Sequence, residues 1–277
     1  MALGRQKSHH PLDKYLRLSR LPHLWCPGCG LGTALGAILR AIDKSIREET
    51  LDADKVVFIT GIGCSARTAF YVNFDSAHTV HGRAIPFASG VKIANPSLNV
   101  IVVGGDGDIA GIGGNHLLHA ARRNIDLLVF MMTNMVYAMT GGQLAPTTPK
   151  GVYTTTTPSG NPERPVNVIK LVASQGGNYV ARASVTHPPL IELYTYKALK
   201  MEGFRFIEII STCPEVFGRH IGYVNPVDLY NVLRSKTKVK TNPSLDESDL
   251  DWENGWVIGE FLIRNDPGYL RTIGRVK

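Results

Sequence analysis

Residues 101–114, IVVGGDGDIAGIGG, and residues 127–143, LLVFMMTNMVYAMTGGQ, decide the fold of this chain. Each stretch contains an apolar, partly β-branched run, and the runs end near Asp106 and at Asn134. In a parallel sheet both residues lie at the carboxyl ends of strands, where open α/β sheets bind ligands. A carboxylate facing an amide oxygen suits Mg²⁺, and the free N–H groups of the glycine-rich turn favour a phosphate. The two stretches therefore predict a cation and a diphosphate on one edge of a sheet.

The alternation of short apolar runs with helical periodicity predicts an α/β fold with a doubly wound, mostly parallel sheet. The predicted strands are residues 55–60, 99–104, 126–133, 180–184 and 205–210. The predicted helices are residues 31–49, 82–94, 109–123 and 189–201, with a further helix beginning at 168. Residues 12–30 and 141–167 are predicted to be irregular, and residues 234–250 a linker or arm. We expect residues 1–230 to form the α/β domain and residues 231–277 a C-terminal extension that is not an independent domain.

The composition limits the classes of function. The chain has 277 residues, 44% hydrophobic and 19% charged, which is ordinary for a globular protein. No apolar run approaches the roughly 18 residues of a membrane helix, and the first residues lack a signal-peptide core. We therefore expect a cytoplasmic protein that does not enter a membrane. The net charge of +7 comes without a recognisable nucleic-acid-binding motif. An acidic protein partner or anionic substrates explain the charge equally well.

The string GDGD at 105–108 has several interpretations when taken alone. It could be a plain strand-turn-helix junction with a capping aspartate. A dinucleotide site is disfavoured because the string does not fit GxGxxG followed by an acidic residue about 20 positions later. With its preceding strand and the later asparagine, it resembles the diphosphate-binding motif of thiamine diphosphate enzymes. That resemblance implies that Asp106, Asn134 and the backbone carbonyl of Val136 bind Mg²⁺, while Gly107 lets the backbone approach the phosphate and Asp108 sits beside it.

The four cysteines form a second pattern. Cys26 and Cys29 have CxxC spacing, while Cys64 and Cys213 each follow a predicted strand. All four are thus expected near the edge of the sheet that carries Asp106. Four thiolates suit either a [4Fe–4S] cluster or a tetrahedral zinc ion. One close pair with two distant single cysteines favours the cluster over zinc, and buried unligated thiols are the structural alternative.

Together these motifs resemble the beta subunit of 2-oxoacid:ferredoxin oxidoreductases. The motifs, in chain order, are CPGCG, GIGCS, HTVHGRAIPFASGVKIANP, GGDGD, HAARRN, NMVYAMTGGQLAPTTP and STCP. The resemblance implies oxidative decarboxylation of a 2-oxoacid with coenzyme A, giving an acyl-CoA, CO₂ and reduced ferredoxin. It also implies that Cys26, Cys29, Cys64 and Cys213 hold one [4Fe–4S] cluster. The residues expected to line thiamine diphosphate are Ile62, Gly63, Cys64, Ser65, His81, Gly82, Gly105, Gly107, Asp108, Ala138 and Met139.

Two residues are candidates for contact with the substrate. Arg67 follows Cys64 by three positions, and a guanidinium can bind a carboxylate through two hydrogen bonds. Its structural alternative is an ordinary surface arginine. His81 could donate to the substrate or to the aminopyrimidine of the cofactor, and capping of the following helix explains it equally well.

The chain has room for only one thiamine-binding α/β unit. Enzymes of this cofactor activate it with a glutamate on a second, pyrimidine-binding domain. The resemblance places that domain in a partner alpha subunit, in an α2β2 assembly, so we expect the isolated chain to be inactive. The rivals are a non-redox thiamine diphosphate decarboxylase or synthase subunit, and a zinc-binding interaction module. The N-terminal sequence resembles the 2-oxoglutarate members more than the pyruvate members, although pyruvate and other 2-oxoacids share the reacting group.

Overall fold

The computed structural model describes residues 10–276 and is built around an eight-stranded sheet. The strands are β1 (Val56–Thr60), β2 (Asp75–His78), β3 (Asn99–Gly105), β4 (Leu128–Thr133), β5 (Tyr179–Ser184), β6 (Arg205–Ile210), β7 (Thr237–Val239) and β8 (Trp256–Ile263). Their order across the sheet is β2-β1-β3-β4-β6-β5-β8-β7. All pairings are parallel except that of β5 with β8. The predicted doubly wound, mostly parallel α/β fold is confirmed.

Helices cover both faces of this sheet. They are α1 (Leu31–Arg47), α2 (Thr68–Tyr71), α3 (Ala84–Ala94), α4 (Gly114–Arg122), α5 (Val168–Gln175), α6 (Pro188–Leu199), α7 (Pro226–Lys236) and α8 (Tyr269–Thr272). The cores of α1 and α6 pack on one face, and those of α3, α4 and α5 pack on the other. Because both faces are covered, β4 is buried along its whole length and β3 along all but its two end residues, and both contain continuous apolar runs. None of the helices in the described part of the chain is long and apolar enough to span a membrane.

The structure departs from the predicted elements at β2, at residues 107–122 and in the C-terminal part of the chain. The short strand β2 was missed, because its sequence DSAH is polar and it lies at the edge of the sheet with partly exposed residues. The predicted helix at 109–123 is instead a π-helical turn, Gly107–Ile112, followed by α4. The predicted linker at 234–250 contains the end of α7 and strand β7, so it is not wholly irregular. Residues 237–263 therefore extend the sheet through β7 and β8.

A fully buried ion pair joins the middle of the sheet to this C-terminal extension. Arg182 Nε donates to Glu208 Oε2 at 2.7 Å, and both side chains are 1% exposed. The hydroxyl of Thr133 donates to the other carboxylate oxygen of Glu208 at 2.8 Å. The guanidinium also donates to the carbonyl oxygen of Ser248 at 2.8 Å. Arg182 thus ties β5 and β6 to the segment that precedes β8.

We expect Arg182→Met to destabilise the protein by about 3–5 kcal/mol, because it leaves the Glu208 carboxylate buried without its counter-ion. The matched control is Arg40→Met, which removes an exposed arginine paired with Glu192 and should cost about 0–1 kcal/mol. The free energy of unfolding in urea, measured side by side, checks the difference. Equal losses in the two variants would contradict the role given to Arg182.

Candidate active site

A cavity of about 310 Å³ opens at the carboxyl ends of β1, β3, β4 and β6. These four strands are neighbours in the sheet, so the loops that follow them meet at one edge. Every residue predicted to bind cofactor, magnesium, cluster or substrate lines this cavity except Gly82. Gly82 lies just behind it, with its N–H donating to the carboxylate of Asp108 at 2.7 Å. The geometry therefore brings the two sequence patterns, the acidic turn and the cysteines, into one site.

Asp106 begins the turn after β3 and is 2% exposed. Its Oδ1 accepts a hydrogen bond from the N–H of Gly107 at 2.9 Å, and its Oδ2 accepts one from the N–H of Met135 at 2.8 Å. The hydroxyl of Thr147 also donates to Oδ2. Burial raises the pKa of Asp106 to about 6, so a cation beside it would favour the ionised form. Thr147 lies in an irregular segment 41 residues further along the chain, so the sequence did not predict this contact.

Asn134 and Val136 enclose a strained turn at the end of β4. Met135, between them, has a φ of +66°, a left-handed conformation that is uncommon outside glycine. The side chain of Met135 is buried, and its carbonyl oxygen accepts a hydrogen bond from Thr148 at 2.7 Å. Backbone strain of this kind persists only where the surroundings enforce it, and it concentrates at functional sites. Here the turn puts Asn134 and Val136 into the cavity wall together with Asp106.

Tyr137 is a residue of the site that the sequence analysis quoted within its motif but did not single out. Its hydroxyl donates to the carbonyl oxygen of Gly107 at 3.0 Å. A Cβ on Gly107 would lie 2.2 Å from the Tyr137 ring, and a Cβ on Gly111 would lie 2.4 Å from its hydroxyl. The glycines of this turn are therefore required by the packed tyrosine, a reason that the string of glycines alone did not reveal.

Asp108 contacts protein groups from two other segments of the chain. Its Oδ1 accepts hydrogen bonds from the N–H of Gly82 at 2.7 Å and from the N–H of Ile62 at 3.3 Å, and it is hydrogen-bonded to His81 Nδ1 at 2.9 Å. Burial raises the pKa of Asp108, and these donors and His81 act in the opposite direction. Asp108 thus joins the loop after β1, the turn before α3 and the turn after β3.

Hydrogen bonds also join the segments that carry the cysteines. The indole N–H of Trp25 donates to the carbonyl oxygen of Cys64 at 2.7 Å, and the hydroxyl of Thr212 donates to the carbonyl oxygen of Gly28 at 2.8 Å. Gly28 has a φ of +74°, which lets the chain turn between Cys26 and Cys29. The CxxC loop is therefore held to both of the segments that carry the single cysteines.

All four cysteines are free thiols, and Cys26 is the exposed one. Burial raises the pKa of Cys29 to about 12 and that of Cys213 to about 11. Burial also raises the pKa of Cys64, and the charge of Arg67 acts against this rise. Within residues 10–276, no group of three or more His, Cys, Asp or Glu side chains is arranged to hold a single metal ion. All four cysteines line one cavity, and burial favours the neutral thiol form of Cys29, Cys64 and Cys213.

Arg67 ends a 3₁₀ turn, Ser65–Arg67, and lines the cavity. Among the described residues, no hydrogen bond or ion pair to a protein group engages its guanidinium. A cation of this kind in a cavity wall is available to an anionic ligand.

Comparisons with known proteins show the family to which the chain belongs. Residues 61–209 match the family described as thiamine pyrophosphate enzyme, C-terminal TPP binding domain. The chain is 44% identical, over 95% of its length and 90% of the relative, to 2-oxoglutarate synthase subunit KorB of Methanothermobacter thermautotrophicus. It is 43% identical, over 69% of its length and 62% of the relative, to 2-oxoacid:ferredoxin oxidoreductase subunit beta of Saccharolobus solfataricus.

A solved structure agrees with these sequence matches. The 2-oxoglutarate:ferredoxin oxidoreductase from Magnetococcus marinus, with 2-oxoglutarate, coenzyme A and succinyl-CoA bound, is 31% identical to this chain. The match has a TM-score of 0.82 and covers 97% of this chain and 90% of that one. The family resemblance noted in the sequence motifs is confirmed, and the chain belongs to the beta subunits of the thiamine diphosphate-dependent 2-oxoacid:ferredoxin oxidoreductases.

Proposed function

We propose that this chain is the beta subunit of an enzyme that converts 2-oxoglutarate and coenzyme A into succinyl-CoA and CO₂. Two electrons leave the substrate, pass one at a time through a [4Fe–4S] cluster and reduce ferredoxin. The observation that carries this proposal is the single cavity lined by Asp106, Asn134, Arg67 and all four cysteines. A decarboxylating site next to a one-electron carrier is what oxidation by ferredoxin requires.

Asp106 and the strained turn at residues 134–136 fit Mg²⁺ and a diphosphate. Asp106 and Asn134 offer hard oxygen ligands, and the carbonyl of Val136 lies in the same cavity wall. The buried Asp106 carboxylate is the group that a divalent cation would stabilise most, since burial penalises its charge. Thiamine diphosphate bound here would supply the electron sink for loss of CO₂. The remaining cofactor contacts are proposed for Ile62, Gly63, Cys64, Ser65, His81, Gly82, Gly105, Gly107, Asp108, Ala138 and Met139.

The cysteine set fits an iron–sulfur cluster by its chemistry. Cys26, Cys29, Cys64 and Cys213 are free and line one cavity. The raised pKa values of the buried thiols mean that their thiolates need positive charge to form, and cluster iron would provide it. Cys64 is adjacent to Ser65, a proposed cofactor contact, so the path from the cofactor to the cluster is short. A zinc ion is the alternative metal for the same four thiolate ligands.

Arg67 and His81 are proposed to act on the substrate. The free guanidinium of Arg67 would bind a carboxylate of the 2-oxoacid and orient it in the cavity. His81 has one ring nitrogen bound to Asp108, which leaves the other for the substrate or the cofactor. The 2-oxoglutarate-named relatives, at 40–45% identity, favour that substrate over pyruvate or another 2-oxoacid.

A partner alpha subunit is proposed to complete the site and to form an α2β2 complex. Large apolar side chains are exposed at or next to the cavity wall: Leu24 and Met139 line it and are 74% and 43% exposed, and Val80, which precedes the lining residue His81, is 72% exposed. An apolar rim of this kind marks a protein contact more often than a free surface. The pyrimidine-binding domain and its glutamate would approach across this rim. The four reduced cysteines suit a reducing compartment, for which we propose the cytoplasm.

The test is an assay of the complex purified with its alpha subunit. We expect the largest kcat/KM for 2-oxoglutarate among 2-oxoglutarate, pyruvate and a branched-chain 2-oxoacid, with acyl-CoA formation and ferredoxin reduction measured together. We also expect iron rather than zinc by elemental analysis. Preference for pyruvate would overturn the substrate assignment. Acyl transfer without iron would favour the non-redox thiamine enzyme, and zinc without thiamine diphosphate would favour the interaction module.

Arg67→Ala is expected to lower kcat/KM for 2-oxoglutarate about 10- to 100-fold, the loss of one charge-assisted contact. The thiamine diphosphate content should stay unchanged, because Arg67 is assigned to the substrate. Arg67→Lys keeps the charge and should recover part of the loss. Steady-state kinetics of the complex, with Arg40→Ala as the exposed control, check the effect. Unchanged kinetics in Arg67→Ala would show that Arg67 does not bind the substrate carboxylate.

A further inference from the structure

The carboxylate of Asp108 is bound in an unusual way. Its side chain is 1% exposed, and Oδ1 takes part in all three hydrogen bonds, with His81 Nδ1 and with the N–H groups of Ile62 and Gly82. Oδ2 is buried and has no hydrogen-bond partner among the described residues. A half-satisfied buried carboxylate costs stability, so folding alone gives no reason for this residue.

Two glycines make room for the unpartnered oxygen. A Cβ on Gly61 would lie 2.2 Å from Asp108 Oδ2, and a Cβ on Gly104 would lie 2.7 Å from it. Neither distance is tolerated in a protein without a shift of the carboxylate. The two motif glycines therefore form a slot, defined by Gly61 and Gly104, that holds Asp108 in one position.

The contact with Asp108 determines which nitrogen of His81 is free. His81 Nδ1 lies 2.9 Å from Asp108 Oδ1, so this hydrogen bond occupies one of the two ring nitrogens. His81 lines the cavity, and its side chain is 30% exposed. Nε2 is then the ring nitrogen left for a ligand. The centroid of the His81 ring lies 6.0 Å from that of Tyr137.

We propose that Asp108 is a positioning residue, which holds the His81 ring so that Nε2 faces the keto group of the substrate. The inference rests on the proposed function. With Nδ1 engaged by Asp108, the ring cannot turn Nε2 away without breaking that hydrogen bond.

The experiment is a double-mutant cycle in the complex with the alpha subunit, measured with the 2-oxoacid that it turns over best. We expect His81→Gln to lower kcat about 100-fold at saturating substrate and thiamine diphosphate. Asp108→Asn keeps an acceptor oxygen for the backbone donors but weakens the contact with His81 Nδ1, and should lower kcat about tenfold. The double variant should be no slower than His81→Gln, because the carboxylate acts through the imidazole.

A matched control separates positioning from stability. Asp43, in α1 and outside the cavity, is buried and accepts hydrogen bonds from Tyr15 at 3.0 Å and Arg47 at 2.8 Å. Asp43→Asn should lower the midpoint of thermal unfolding and leave kcat unchanged. Asp108→Asn should lower kcat and leave the midpoint of thermal unfolding unchanged. Gly61→Ala keeps the charge of Asp108 but displaces it, and should lower kcat as Asp108→Asn does.

The outcomes are distinct. If Asp108→Asn or Gly61→Ala has the kcat of the unmutated complex, the carboxylate does not position His81 and the inference is overturned. A further loss of kcat when Asp108→Asn is added to His81→Gln overturns it as well, since Asp108 then acts by another route. Failure of the unmutated complex to turn over any 2-oxoacid refutes the proposed function and this inference together, before any variant is made.

Discussion

Replacing Asp106 by alanine is expected to remove thiamine diphosphate and Mg²⁺ from the complex and to leave the iron in place. The variant deletes a carboxylate oxygen proposed to bind the metal, and it leaves the N–H groups of Gly107 and Met135 without their acceptor. Loss of an outer-shell partner already costs about 10- to 100-fold in metal affinity, so we expect at least about 100-fold here. Titration of the metal-free complex with Mg²⁺ and thiamine diphosphate, together with iron analysis, measures it.

Two further variants make the Asp106 test specific. Asp106→Asn preserves the shape of the side chain and removes only its charge, so it should also lose Mg²⁺. Asp246→Ala removes a carboxylate whose side chain is 98% exposed and should leave both cofactors at their normal content. Thiamine diphosphate retained at normal occupancy by Asp106→Ala would refute the assignment of this carboxylate to the metal.

Cys213→Ser is expected to abolish ferredoxin reduction by removing the cluster. The hydroxyl that replaces the thiolate is a poor ligand for cluster iron, and Cys213 is the ligand furthest along the chain from the others. Thiamine diphosphate should still bind, because Asp106 and Asn134 are unchanged. Iron content, the visible absorbance of the complex and ferredoxin reduction check the three parts of this expectation.

The neighbouring Ser211 provides the control for Cys213. Ser211 is buried, lines the same cavity and lies two positions earlier in the chain. Ser211→Ala should keep the iron and the activity, so any general disturbance of this loop would appear in both variants. If Cys213→Ser retains about four iron atoms per chain, Cys213 is not a cluster ligand.

Much of the site follows from local sequence patterns. Apolar runs of strand length predicted β3 and β4, and each ends where the chain leaves the sheet, so Asp106 and Asn134 fall on its carboxyl edge. The same rule placed Cys64 and Cys213 there. These positions depend on strand ends and on the parallel sheet, which the alternation of strands and helices already indicates.

Other parts of the site depend on contacts between segments distant in sequence. Thr147 bonds Asp106 from an irregular loop, where no periodicity predicts the fold of the chain. Strand β8 joins the sheet beside β5 in the opposite direction, and the buried Arg182 holds the segment preceding it. A sequence pattern records which residues are apolar or polar, but not which distant groups will meet.

The sequence by itself determined the α/β fold, the edge that carries the site and the residue types suited to Mg²⁺, diphosphate and a cluster. These follow from the strand and helix periodicities of the apolar residues and from the ligand chemistry of single side chains, which are local properties of the chain. Only the tertiary structure decided that Asp108 faces His81 within a slot formed by Gly61 and Gly104. Such a slot exists only when three separate segments pack together, because each distance within it depends on the positions of all three.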